Sequence, residues 1–279
     1  MKDQLKLSLL CFVAVSLFAF SSCEKDAEPI PEADAATIAK AQESLASQQL
    51  ILSSFNIAQR GAENANGFAN DGGVEYRSDT CGVVTVDPPG LFVFPKTVTV
   101  DYGSGCTDAD GKFKAGKVVL YVEAIWEPNA IISVAYDNYS EDGVKVEGQF
   151  VFTNLSTPDA AILSITAQDI KLTGPNNNTF AFSGNQTYTQ TEGHPTWWDW
   201  HDDVYHVTGS IYTTLTNGET VDWVIQTPLE KANACYYVSK GTGTLDINGL
   251  PIIVDYGNGA CDNQGTLTIN GQVYPFTLH

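Results

Sequence analysis

Apolar and polar positions fall into three regimes along this chain. Between Leu7 and Phe20 the residues are nearly all apolar and uncharged, with Lys2 and Lys6 ahead of them. Over 34–60, Ile38, Ala41, Leu45, Gln48, Leu52 and Phe55 recur at three- and four-residue steps, which draws one face of an amphipathic helix. Gly61 and the Asn- and Gly-rich stretch up to Gly73 end that pattern. From Cys81 onward the period shifts towards two. Val144, Val146, Phe150 and Phe152 alternate around Gly148, and Ile162, Leu163, Ile165 and Ile170 mark another apolar segment. Strands are expected over 81–86, 96–102, 113–126, 130–137, 143–153, 160–173, 178–190, 203–214, 219–226, 234–246, 250–256, 264–269 and 272–278. Short turns such as Glu141-Asp142-Gly143, Thr216-Asn217-Gly218 and Ile247-Asn248-Gly249 link them as hairpins.

No helix is available for crossovers, so these strands form an antiparallel meander. A sheet of so many strands must curl, split or approach closure. The expected fold is mainly β: a large antiparallel meander, either a sandwich or a curved, partly closed barrel-like sheet, with one N-terminal amphipathic helix. Residues 1–22 read as a signal peptide, 23–35 as an acidic flexible tether containing Pro29 and Pro31, 36–73 as helix and linker, and 74–279 as one all-β domain.

The apolar run behind Lys6 is shorter than the roughly 20 residues that span a bilayer, and has the length of a signal-peptide core. Ser21 and Ser22 lead from it into Cys23. This arrangement resembles the bacterial lipobox, in which the Cys thiol is acylated and becomes the new N-terminus. The following Glu24-Lys25-Asp26-Ala27-Glu28 resembles the export signal of Bacteroidota surface lipoproteins. The resemblance implies a protein held by lipid at Cys23 in the outer membrane and facing outward at the cell surface. The plainer alternatives are an ordinary signal peptide ending in a chance Cys, and a tether that is acidic only for solvation.

The chain echoes itself. Val100-Asp101-Tyr102-Gly103-Ser104-Gly105 precedes Cys106, and Val254-Asp255-Tyr256-Gly257-Asn258-Gly259 precedes Cys261. A second Cys lies upstream at a nearly equal interval in each copy, Cys81 and Cys235. Cys11 falls in the signal peptide, so four Cys remain for an exported domain, enough for two disulfides in three possible pairings. The matched spacing favours Cys81–Cys106 and Cys235–Cys261, within related segments at about 76–125 and 230–279. Closing a loop of about 25 residues is worth roughly 3 kcal/mol. The repeated Asp-Tyr-Gly-x-Gly…Cys motif, the ending Cys261-Asp262-Asn263-Gln264-Gly265 and the Thr227-Pro228-Leu229…Cys235 segment resemble a family of uncharacterised Bacteroidota cell-surface lipoproteins. The likeness covers most of the chain and implies architecture and location, with no activity to carry over.

Charge narrows the partners. The full chain has a formal charge of −19, and removing 1–22 leaves it about as negative. Such a surface repels phosphate backbones and anionic head groups, so nucleic acid is not an expected partner. The segment from His194 to His206 concentrates Trp197, Trp198 and Trp200 with Asp199, His201, Asp202, Asp203 and Tyr205. Three readings of it stand side by side: a hairpin loop capping the sheet with its own aromatics, a sugar or partner surface carried by the three Trp and Tyr205, and a metal site at His201, Asp203 and His206. In a strand starting near Asp203, Asp203 and His206 face opposite ways, against the metal. Asp108-Ala109-Asp110-Gly111 opens like a calcium loop, but Val119 stands where the closing Glu is needed, which leaves a turn. There is no Gly-x-Ser-x-Gly elbow. Glu123, Glu147 and Glu192 could pair across strands as glycosidase acids do, a match that chance supplies in so acidic a chain. No catalytic residue, metal or cofactor is expected. The sequence points to a lipid-anchored surface protein with a binding or structural role, its ligand a glycan or a partner protein. The alternatives are a carrier of an apolar ligand inside the curved sheet and a surface hydrolase.

Overall fold

The computed structural model describes residues 32–66, 81–90, 92–107, 111–158, 160–193 and 200–278. One helix, α1 (Glu32–Asn66), precedes fourteen strands. These are β1 (Val83–Asp87), β2 (Lys96–Asp101), β3 (Cys106–Thr107), β4 (Phe113–Val122), β5 (Ile131–Glu141), β6 (Val144–Asn154) and β7 (Ile162–Thr173). They continue as β8 (Thr179–Glu192), β9 (Val204–Thr214), β10 (Thr220–Ala232), β11 (Lys240–Ile247), β12 (Leu250–Asn258), β13 (Gln264–Ile269) and β14 (Gln272–Thr277). All belong to one antiparallel sheet in sequence order, with the short β3 set against β4 off the main path. It is a single open sheet and not a sandwich: β1 and β14 form its two ends.

The sheet curls around the helix. α1 touches β2, β4, β5, β6 and β9, and its side chains hydrogen-bond to β8 and β10. Strands sit about 4.8 Å apart, so laid flat the stretch from β2 to β10 would be about 34 Å wide. A helix with its side chains is about 10–12 Å across. Only a strongly bent sheet brings all of these strands to one helix. The bend has a visible local cause in register shifts between Ala115 and Lys117, Ala135 and Ser140, Glu147 and Gln149, and Ala167 and Ile170, on four consecutive strand pairs. An extra residue on one strand bends it and increases its twist. Two glycines make this geometry possible. Gly116 has φ +81° and Gly148 φ +102°, and a Cβ would stand 2.2 Å from Asn138 O and 2.6 Å from Asp169 O respectively.

Hairpin chemistry follows the turn residues. Asp142 and Gly143 have φ 49° and 79°, Asn248 and Gly249 φ 55° and 83°. These paired positive angles match the natural twist of the flanking strands. The strand core is filled from the inner face, with Val98, Leu120, Val134, Phe150, Ile170 and Ile211 all buried. Phe55 of α1 is the aromatic centre: its ring lies 4.9 Å from Tyr188, stacked, and 5.3 Å from Tyr205, edge-on.

Several boundaries differ from the sequence expectation. The helix starts at Glu32, so the last residues of the expected tether are helical, and it runs through Gly61 to Asn66. Gly61 is a packing residue, since a Cβ there would fall 2.2 Å from Leu120 Cδ2. It lets the helix approach β4 instead of ending it. β10 extends to Ala232, while 234–239 is not strand. That segment is shaped by Lys231, whose buried ammonium donates to the carbonyls of Ala232 and Cys235.

Both disulfides join the Cys pairs expected from the repeat, Cys81–Cys106 and Cys235–Cys261. The echoed motif is a repeated local structure too. Asp101 Oδ1 accepts from Gly103 N at 2.8 Å, and Asp255 Oδ1 accepts from Gly257 N at 2.8 Å. Each Asp closes a small side-chain turn ahead of its Cys, one towards each end of the sheet. No helix among the described residues is long and apolar enough to cross a membrane.

Gly148→Ala should lower the unfolding free energy by about 2 kcal/mol or more, from a strained φ and a forced carbonyl contact. An unchanged melting temperature would mean that the bulge is not needed. Burial also pushes the Lys231 ammonium down to about 8 from an ordinary 10.5. Below pH 8 the folded and unfolded forms both carry that proton and the cost of burying it is complete; above it the folded form sheds the proton first. Stability should therefore rise with pH, by at most about 1.4 kcal/mol per unit. The rise should stop near pH 10, where unfolded phenols ionise while burial keeps Tyr136, Tyr188 and Tyr256 neutral in the fold. Denaturant titrations from pH 7 to 11 check this, and Lys231→Met should flatten the rising limb.

Candidate functional site

Beyond Phe55 the described buried positions of α1 carry only small apolar residues. Ala58 and Ala62 follow Phe55 on its inner face, both buried. Small side chains cannot fill the space that a curled sheet leaves around a helix, and here a cavity of about 230 Å³ remains. Opposite α1 its wall comes from Ile132 of β5, Phe152 of β6, Leu163 of β7 and Tyr205 of β9. Ile125 and Ala130 close it from the β4–β5 connection. The volume lies below the roughly 300–1,000 Å³ of pockets that enclose a drug-sized molecule.

The polar groups on the wall are already engaged. Asn154 Nδ2 donates to Ile125 O at 2.8 Å and Glu127 O at 3.2 Å, and its Oδ1 accepts from Ser156 N at 2.9 Å. Ser156 Oγ accepts from Ile162 N at 3.0 Å. The Tyr205 hydroxyl donates to Asp203 Oδ2 at 3.0 Å, and Gln190 Nε2 donates to Asp203 Oδ1 at 2.6 Å. Burial, reinforced by the Asp203 charge, holds the Tyr205 phenol well above its ordinary range, so it stays neutral. These side chains organise the loops at the mouth. What the cavity offers to a ligand is apolar surface.

Large apolar side chains flank the same connections. Trp126, next to Ile125, is 52% exposed and packs edge-on against Phe94, with ring centres 5.1 Å apart. Phe92 stands 79% exposed with its ring 6.3 Å from Trp126. Leu155, between Asn154 and Ser156, is exposed as well. Lys96 anchors the base of this cluster: it is buried, donates to the carbonyls of Pro88 and Gly90, and lies 5.6 Å from the Phe94 ring centre. Scattered exposed apolar residues need no explanation, but a cluster beside an apolar opening is the pattern of a contact surface.

The residues singled out from sequence scatter widely. Cys23, Trp197 and Trp198 lie outside the described residues. Trp200 opens a single 3-10 turn, Trp200–Asp202, and its side chain is outside the described part. Tyr205 points inward and forms part of the cavity wall. Asp203 is buried while His201 and His206 are exposed, and among the described residues no group of three or more His, Cys, Asp or Glu could hold a metal ion. The three glutamates have separate structural surroundings. Glu123 accepts from Ile131 N at 3.0 Å, Glu147 pairs with Lys145 at 2.8 Å, and Glu192 is exposed at the end of β8. Asp108 and Asp110 are not described, and Asp262 accepts from Gln264 N at 2.9 Å as a turn residue.

Phe92, Trp126, Ala58 and Ala62 were not picked out by sequence reasoning. Pro88-Pro89-Gly90 and Glu127-Pro128-Asn129 beside the aromatics are the only local signals there. Comparison with protein-family models, curated proteins and solved structures finds no match for this chain.

Proposed function

We propose that this chain is a lipid-anchored protein of the outer cell surface that holds an apolar or amphiphilic ligand between α1 and the curled sheet. The cavity beside Ala58 and Ala62 carries this reading, because its polar wall groups already have partners. A sugar or peptide entering it would find few groups with which to exchange its lost water, whereas an alkyl or ring hydrocarbon loses nothing and gains contact. Phe92, Trp126 and Leu155 extend the apolar surface outward, so a ligand longer than the cavity has a place for the part that emerges. The anchor rests on Cys23 behind its apolar run, and the outward orientation on the acidic residues that follow. Two acyl chains on one Cys suffice for stable attachment, at about 0.8 kcal/mol per buried methylene.

Titration of the purified protein with the neutral dye N-phenyl-1-naphthylamine tests the cavity. Binding should weaken roughly tenfold or more in Ala62→Leu, which fills the space, and less in Trp126→Ala, which removes only the rim. Equal affinity in wild type and Ala62→Leu would place the dye elsewhere and defeat the reading. Cys23→Ala should move the protein from the membrane fraction into the soluble fraction. Added protease should cut the wild type on intact cells, and full protection would overturn the outward orientation.

A further inference from the structure

A second concavity, of about 270 Å³, lies along another face of α1, between the helix and β5–β7. Its composition is unlike that of the first. Leu50, Ile57, Val146 and Leu172 give it an apolar floor. Around them stand Gln49, the Lys112–Glu141 ion pair at 2.5 Å, and the phenols of Tyr136, Tyr139 and Tyr236. Tyr139 donates to Glu141 Oε2 at 3.1 Å, and Tyr136 shares a 3.0 Å hydrogen bond with Ser54. Two features stand out. Tyr236, on the segment between β10 and β11, is 51% exposed. Gln49 Nε2 is covered by protein yet makes no hydrogen bond.

We infer that this cleft is a binding site for one unit of a neutral saccharide, with Tyr236 as the stacking face and Gln49, Lys112 and Glu141 as the hydroxyl-reading edge. A buried amide donor without an acceptor is unfavourable. Gln49 lines the cleft, where a hydroxyl oxygen would offer that nitrogen an acceptor. Glu141, whose two oxygens accept from Lys112 and Tyr139, keeps lone pairs with which to accept from a hydroxyl, and the Lys112 ammonium beside it is a donor of the right kind for one. A wholly apolar occupant fits badly, because it would strip water from the ion pair and return nothing. An anionic occupant fits badly too, since Glu141 and Asp142 face it and the chain carries a formal charge of −19. A pyranose has what remains: a flat C–H face for the phenol ring and hydroxyls around its edge. The site is independent of the apolar cavity and does not require it.

Saturation-transfer NMR on the mature chain with maltose, cellobiose and N,N′-diacetylchitobiose, each at about 10 mM, tests the assignment, since a single shallow subsite binds weakly. At least one of the three should receive transfer on its ring C–H protons. Tyr236→Ala, a change at a half-exposed position that leaves the core untouched, should abolish it. Gln49→Leu should weaken it severalfold, and Gln49→Glu, which keeps the size but loses the donor, should do the same. N-phenyl-1-naphthylamine binding at the other cavity should be unchanged in all three variants, which reports their folding and keeps the two sites distinguishable. Silence of all three sugars, or transfer that survives Tyr236→Ala, overturns the site.

Discussion

A helix enclosed by a curled sheet needs something to fix its rotation and its height, and apolar packing alone tolerates slippage of both. In this protein the fixing element is a pair of amides. Gln48 of α1 and Gln186 of β8 bond to each other in both directions, with Gln48 Nε2 donating to Gln186 Oε1 at 3.2 Å. Trp223 Nε1 of β10 adds a 3.3 Å bond to Gln48 Oε1, and Tyr188 donates to Gln186 Oε1 at 3.4 Å. All four side chains are buried. A quarter turn of the helix would leave these groups unpaired in apolar surroundings, at about 1–3 kcal/mol each. Polar contacts at the ends of the network repeat the constraint: Ser54 meets Tyr136, and Glu43 accepts from Thr216 N at 2.7 Å. Both concavities depend on this setting, because each is bounded by a particular face of α1.

The bulges explain why the sheet is available to be fixed. Two inserted residues, one on β5 around Asn138 and one on β7 around Asp169, each shift the register against both neighbouring strands, and together they wrap the sheet without closing it. The ends then need protection from unravelling. The two disulfide-closed segments lie towards those ends, each with the same Asp turn, so the duplicated motif reinforces the margins of a sheet that has no closure.

Much of this was legible in the residues. Strand positions came through because alternation and the Asp-Gly and Asn-Gly turns are both short-range signals, and the hairpins at Asp142 and Asn248 need nothing more. The Cys pairing was legible through the echo. Gln48 was placed on the helical stripe, but neither its role nor its partner was deducible. The misses share a physical origin. Gly61 reads as a helix end unless Leu120 is known to press against it. The bulge at Gly148 depends on a carbonyl from the neighbouring strand. The apolar cavity is made by what Ala58 and Ala62 lack, and absence of bulk leaves no periodic mark. Gln49 and Tyr236 are far apart in sequence, and only the fold brings them to one cleft.

The amide pair also has a consequence in time. Gln48 waits for partners 138 and 175 residues further along the chain. During synthesis the helix therefore emerges long before β8 and β10 exist to receive it. Until then Leu45, Leu52 and Phe55 face solvent, and loop-closure entropy opposes every contact that would cover them. The early strands can form as local hairpins in that interval, but they cannot adopt their final curvature around an unfixed helix. Docking of α1 is thus a late event, and a chain of this design needs protection of its N-terminal apolar stripe until the tenth strand has emerged.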